Sequence, residues 1–181
     1  MLVHPSADNR SPIKSKIFLI GFMGSGKTHW ARLLSSAYQL SYADLDDVIE
    51  KEYNQKIATI FKEKGEAYFR EIEAKVLRSF ADEQNCIIAC GGGTPCYEEN
   101  IQWMNERGIT VYLKDSPALL AKRLLKEKSH RPVLMNIADH ELENFIAGKL
   151  SERESFYNQA KIILDEETLT VQLLADTIFN T

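Results

Sequence analysis

Short runs of apolar residues alternate along the chain with longer stretches in which apolar positions recur every three or four residues. The runs fall at residues 17–21, 41–44, 87–90, 110–113 and 161–164, each short enough to be a buried strand. The helical periods occupy residues 29–40, 65–81, 98–106, 117–126, 139–157 and 169–179. Strands separated by helices require crossover connections, which make neighbours parallel and put helices on both faces of the sheet. The pattern therefore predicts an α/β fold, a three-layer α/β/α sandwich on a parallel, roughly five-stranded central sheet. No repeat, low-complexity tract or linker divides it, so residues 17–181 read as one domain, as the chain length allows. Residues 1–16 are polar, lack the apolar middle of a signal peptide and read as a flexible leader.

Two segments break the alternation. Residues 46–84 separate two strands and hold two or three short helices, while residues 126–138 are charged and interrupted by Arg131-Pro132. Either both are ordinary surface excursions, or they are an acceptor-binding region (about 45–84) and a closing lid (about 126–138).

The first strand runs directly into Gly21-Phe22-Met23-Gly24-Ser25-Gly26-Lys27-Thr28, a complete G-x-x-x-x-G-K-[ST] phosphate loop, and a helix follows. A buried strand delivers the chain to a glycine-rich turn whose bare N–H groups can wrap a polyphosphate. Lys27 is expected to reach the β/γ-phosphates and the Thr28 hydroxyl to ligate Mg²⁺. Gly24, Ser25, Gly26, Lys27, Thr28 and His29 are the residues expected against the nucleotide phosphates.

Composition narrows the function. The apolar and charged fractions, 44% and 27%, are those of an ordinary globular protein. A net charge of −4 argues against general binding to nucleic acid or to anionic membrane, so anion chemistry must come from a few placed cations. No apolar stretch approaches a membrane span. Cys86, Cys90 and Cys96 fit no usual zinc spacing and read as structural thiols in a reducing cytoplasm.

Several residues carry candidate chemistry. Asp44-Leu45-Asp46 follows the second strand, and in a continuing extended segment both carboxylates would point to one side. One could hold Mg²⁺ through water and the other accept a hydrogen bond from an attacking hydroxyl; alternatively Asp46 or Asp47 caps the next helix. On the helix at 65–81 the stripe Phe69, Ile72, Val76 and Phe80 has Arg70 and Glu73 along its flank, about 100° and 40° from Phe69. This pair is either a surface salt bridge or an arginine held at a pocket edge for carboxylate recognition. Arg153 lies about 20° from Leu142, within its own helix's apolar stripe, so it must be paired, ligand-facing or snorkelling. Gly91-Gly92-Gly93 ends the third strand, either as a tight turn or as backbone brought close to a ligand. The 86–90 strand lacks the acidic residue of motor ATPases and no Asn-Lys-x-Asp is present, which points to small-molecule kinases.

Taken in order, these pieces resemble the shikimate kinase family, of nucleoside-monophosphate-kinase-like fold. The resemblance rests on residues 21–28, Asp-Leu-Asp at 44–46, Phe-Arg-Glu-Ile-Glu at 69–73, Gly-Gly-Gly at 91–93, Arg-Pro-Val-Leu at 131–134 and Arg153 before Tyr157. It covers nearly the whole chain. It implies ATP- and Mg²⁺-dependent phosphorylation of the shikimate 3-hydroxyl, on the route to chorismate and aromatic amino acids. By position it makes Asp46 the contact to the ring hydroxyls and the candidate base. Arg70 and Arg153 become the carboxylate clamp, with Glu73 orienting Arg70, and Gly91, Gly92 and Gly93 line the pocket. Thr28 and Asp44 are the metal residues, Arg131 the lid cation on the transferring group, and Arg123 a candidate for stacking on adenine. Cys90 departs from the small or hydroxylated residue common before the glycines. A cytoplasmic monomer is the simplest expectation. The rival readings are a gluconate or nucleotide kinase of the same fold and a non-catalytic ATP- or shikimate-binding module.

Overall fold

Five strands, β1 (Lys16–Ile20), β2 (Ser41–Asp44), β3 (Cys86–Ala89), β4 (Gly108–Lys114) and β5 (Ile162–Asp165), form one parallel sheet in the order β2-β3-β1-β4-β5. The computed structural model describes residues 16–128 and 131–180. The leader expected over residues 1–16 lies outside the described residues except for Lys16, and so do positions 129 and 130 of the expected lid. The α-helices are α1 (Lys27–Tyr38), α2 (Leu45–Tyr53), α3 (Ile57–Ser79), α4 (Asn100–Arg107), α5 (Pro117–Glu127), α6 (Leu142–Tyr157) and α7 (Val171–Phe179).

Alternation along the strands divides the core in two. Ile17, Leu19, Ile87, Ala89, Val111 and Leu113 pack with α1 and α7 on one face. Phe18, Ile20, Ile88, Cys90 and Tyr112 pack with α2, α3 and α4 on the other. A third cluster joins Phe22 to Leu120 and Leu124 of α5, Leu134 of the segment after it, and Leu142 and Ile146 of α6. The three layers and the five strands are those the apolar pattern implies. Cys86 and Cys90 are buried and all three cysteines are free thiols.

Some boundaries differ for physical reasons. The helix expected at 65–81 extends back to Ile57 through a kink at Gly65, whose φ of 82° only glycine adopts cheaply. The helix expected at 139–157 opens as a 3₁₀ turn, Asp139–Glu141, before α6. The larger correction concerns Asp44 and Asp46. They do not share one side of an extended segment, because the chain turns into α2 at Leu45. Nor does Asp46 or Asp47 cap that helix. Asp44 does so itself, its Oδ1 accepting from the Asp46 backbone N–H at 3.1 Å.

Topology places the site. From β1 the chain crosses by α1 to β2 on one face, whereas from β3 it crosses by α4 to β4 on the other. The loops leaving the adjacent strands β1 and β3 therefore part at the carboxyl ends of the sheet. In open parallel sheets that divergence opens a crevice.

Candidate active site

The crevice holds a cavity of about 850 Å³ with the phosphate loop on one side. Gly24 and Gly26 have φ of 82° and 78°, so the loop curls in a way that L side chains resist. Gly26 is the N-cap of α1, with no side-chain cap and no acidic residue in the first turn. The orphan N–H groups at that end are left to face an anion, with the helix dipole favouring it. α2, by contrast, begins with a carboxylate on its amides.

Lys27 lies across this loop, its Nζ donating to the carbonyl oxygens of Gly21 at 2.9 Å and Phe22 at 2.7 Å. Burial lowers its pKa to about 8, against the pull of Asp46 and with Arg131 lowering it further. A polyphosphate would supply the negative charge that this ammonium lacks. The buried Ser25 hydroxyl has no hydrogen-bond partner among the described residues. Thr28 Oγ1 donates to Asp44 Oδ2 at 2.7 Å. Among the described residues no three His, Cys, Asp or Glu converge as metal ligands. A hydroxyl beside one carboxylate nevertheless fits Mg²⁺, which keeps several waters and takes one or two carboxylates together with phosphate oxygens.

Asp46 lines the same cavity. Its side chain is exposed to the cavity, and its pKa rises to about 6. Burial is the main cause and the Asp44 and Glu73 carboxylates add to it, against Lys27 and Arg70. The carboxylate is thus ionised at neutral pH and basic enough to take a proton.

The wall opposite is Gly91 and Gly92, with Gly93 after them. A Cβ on Gly91 would come within 2.8 Å of Glu73 Oε1 and 3.3 Å of Asp46 Oδ1. One on Gly92 would lie 3.4 Å from an Arg153 terminal nitrogen, and one on Gly93 would overlap the Arg70 guanidinium. The glycines are there because two arginines and two carboxylates crowd their backbone. Arg70 NH1 donates to Glu73 Oε2 at 2.7 Å, and Glu73 is fully buried at the helix flank. The pair is therefore not a surface salt bridge. Its other side pairs with the exposed Glu66, at 3.2 Å.

Arg153 is half-buried, its guanidinium 5.4 Å from the centre of the Phe22 ring. Tyr157, one turn on, donates its hydroxyl to the Gly92 carbonyl at 2.5 Å and fixes that strip. Both arginines act on the Cys96 thiol, whose pKa burial nevertheless raises to about 11. The two guanidiniums approach adjacent glycines, Arg153 at Gly92 and Arg70 at Gly93, behind the residues that line the cavity itself, and no carboxylate pairs with Arg153 among the ion pairs described.

At the other end, Arg131 pairs with Glu127 at 2.8 Å and lines the cavity. Arg123 bonds the Gly24 carbonyl at 3.3 Å, Asp115 at 3.3 Å and Glu166. His29 is exposed at the cavity edge.

A family model described as Shikimate kinase matches residues 23–181. The chain belongs to the shikimate kinase family. The shikimate kinase of Parabacteroides distasonis is 43% identical over 157 residues, which cover 87% of this chain and 91% of that one. That of Phocaeicola vulgatus is 40% identical over 155 residues, 86% and 89% of the two chains. The crystal structure of the Bacteroides thetaiotaomicron shikimate kinase superposes with a TM-score of 0.87 at 36% identity, covering 91% of this chain and 98% of that one. An Acinetobacter baumannii shikimate kinase in complex with shikimate gives 0.81 at 29% identity, over 92% and 91%. Membership makes this chain an ATP-dependent small-molecule kinase of the nucleoside-monophosphate-kinase-like fold, and it sets aside the gluconate-kinase, nucleotide-kinase and non-catalytic readings. No described helix is long and apolar enough to cross a membrane.

Sequence reasoning missed the partners that four residues supply. Thr94 bonds Glu73, Tyr157 bonds Gly92, and Asp115 with Glu166 hold Arg123. Thr94, next to the glycines, and Tyr157, one turn from Arg153, carried a local signal; Asp115 and Glu166 carried none.

Proposed function

We propose that the protein transfers the γ-phosphoryl group of ATP to the 3-hydroxyl of shikimate, giving shikimate 3-phosphate and ADP. The observation that carries this reading is the strip at Gly91–Gly93. There Asp46, Arg153 and Arg70 lie against Gly91, Gly92 and Gly93 in turn, and Asp46, Gly91 and Gly92 line the cavity that the phosphate loop also lines. Two guanidiniums suit the acceptor's carboxylate and place its ring by charge-assisted bonds. Glu73 orients Arg70, and the glycines let the ring approach the backbone.

Asp46 accepts a hydrogen bond from the ring hydroxyl and takes its proton as that oxygen bonds to the γ-phosphorus. The bond from phosphorus to the bridging oxygen breaks, and its electron pair leaves with ADP. Lys27 and Arg131 stabilise charge on the transferring group, which is most of what phosphoryl transfer asks of a protein. Thr28 and Asp44 are the residues that would hold Mg²⁺, which when bound neutralises charge on the β- and γ-phosphate oxygens. Gly24, Ser25, Gly26 and His29 line the nucleotide phosphates, and Arg123 lies toward the base. Residues 45–84 form the acceptor-binding region, and residues 126–138 act as a lid that keeps water from replacing the acceptor. Every group named comes from one chain, so a monomer suffices, and three free thiols suit the cytoplasm.

The test is Mg²⁺-dependent ADP release from ATP with shikimate, gluconate, a nucleoside monophosphate or no acceptor. Release with shikimate alone is expected. Release with another acceptor instead would overturn the pocket assignment, and release with none would overturn the reading altogether.

A further inference from the structure

Behind the acceptor strip runs a buried chain of polar groups that the transfer chemistry does not use. Glu73, Thr94 and Asn100 are each 0% exposed, an arrangement tolerated only when every polar atom is matched. Thr94 Oγ1 donates to Glu73 Oε1 at 2.6 Å, while Glu73 Oε2 accepts from Arg70 at 2.7 Å. Thr94 is itself fixed from both sides. Its N–H donates to the Gly91 carbonyl at 3.1 Å, and its own carbonyl accepts from Asn100 Nδ2 at 2.8 Å. Asn100 Oδ1 in turn accepts from Arg78 at 2.5 Å, and the Arg78 guanidinium lies 4.9 Å from the Trp103 ring centre. The chain thus links α3 to α4 and back to α3, with Arg70 at its inner end.

We propose that Thr94 is a positioning residue of the acceptor site, holding Glu73 so that Arg70 stays aimed at the acceptor carboxylate. The proposal rests on the clamp reading above. Without the Thr94 hydroxyl, Glu73 Oε1 is left buried with no donor. Asp46 stands beside it as a like charge, and Arg70 is the cation it bonds. The carboxylate then turns both oxygens to Arg70 and draws the guanidinium off Gly93, where the fit leaves no room even for a methyl group. The loss falls on recognition of the acceptor carboxylate and not on the phosphate loop.

The experiment compares Thr94→Val, which keeps shape and removes the donor, with Thr94→Ser, which keeps the donor. Each is assayed with shikimate and with shikimate carboxamide, and Arg70→Ala serves as the reference. Thr94→Val is expected to raise the shikimate KM about tenfold, the scale of one hydrogen bond to a charged group. The KM for ATP and the kcat stay within about twofold, a bound well below that scale. Preference for shikimate over its carboxamide narrows by the same factor, and Thr94→Ser restores it. An unchanged shikimate KM, a loss shared equally by acid and amide, or no rescue by serine would overturn the proposal. Should Thr94→Val not accumulate as folded protein, Thr94→Ala carries the same acid-to-amide ratio. If Arg70→Ala itself leaves the shikimate KM unchanged, the clamp reading falls. If Arg70→Ala raises it and Thr94→Val does not, only the role of Thr94 falls.

Discussion

The phosphate loop meets the cavity mainly through the backbone of residues 21–28, whereas the proposed acceptor strip is a run of glycines against which side chains of α2, α3 and α6 are packed. At the first end glycines supply left-handed turns and free N–H groups. At the second they supply absence of bulk, so that arginines carried on α3 and α6 can meet the same backbone. Gly26 needs to be glycine for its own conformation, Gly93 for its neighbour's. A substitution at either site therefore harms a different half of the reaction, which makes the division open to experiment.

The largest effect is expected at Lys27. Lys27→Ala removes the cation we assign to the transferred group and should lower kcat about a thousandfold. The shikimate KM should stay near its wild-type value in steady-state assays. Next come the glycines. Gly93→Ala puts a methyl group into the Arg70 guanidinium and should raise the shikimate KM by more than about tenfold, the scale of a bond to a charged group, with the KM for ATP unchanged. Gly26→Ala forces alanine to a φ of 78° and crowds the Trp30 ring, so it should raise the KM for ATP. It should also lower the stability by about 1 kcal/mol or more in denaturant melts.

Asp46 gives a pH signature. Its folded pKa is raised to about 6, so lowering the pH through 6 protonates the carboxylate and would remove the proposed base. The ratio kcat/KM should then fall with an apparent pKa near 6, and Asp46→Asn should abolish that limb with most of the activity. The linkage sign is opposite for folding. Because the folded chain holds this proton more tightly than the unfolded one, the group's contribution to stability diminishes as pH rises from about 4 through 6. A flat kcat/KM down to pH 5 would remove Asp46 as base. The smallest effect is expected at Glu66, an exposed competitor for Arg70. Glu66→Gln should lower the shikimate KM by about twofold at low salt, less at high salt, as for other exposed pairs.

The same contrast explains what could be read from sequence. The phosphate loop is contiguous, so its chemistry lies in adjacent letters. Arg70 and Glu73 are three apart on a helix, so a wheel brings them together. The backbone between Asp44 and Asp46 is a helix start and not a continuing strand, and the cap is Asp44 where the sequence offered Asp46 or Asp47, because a short strand does not mark the residue at which the helix begins. Thr94 meets Glu73 from 21 residues away and Glu166 meets Arg123 from 43, through α4 and the β5 edge of the sheet. Pairings of that kind depend on how the layers close, which no local period encodes. The strands and layers were legible because alternation of apolar runs is itself the signal for a parallel sheet.

The most direct measurement is the pair of Michaelis constants of Arg153→Ala. Arg153 lies outside the phosphate loop, beside Gly92 of the proposed acceptor strip. Its removal should raise the shikimate KM about thirtyfold or more, the scale of a charge-assisted carboxylate contact, and leave the KM for ATP within about twofold. An unchanged shikimate KM, or an equal rise in both constants, would contradict a carboxylate clamp separate from the phosphate loop.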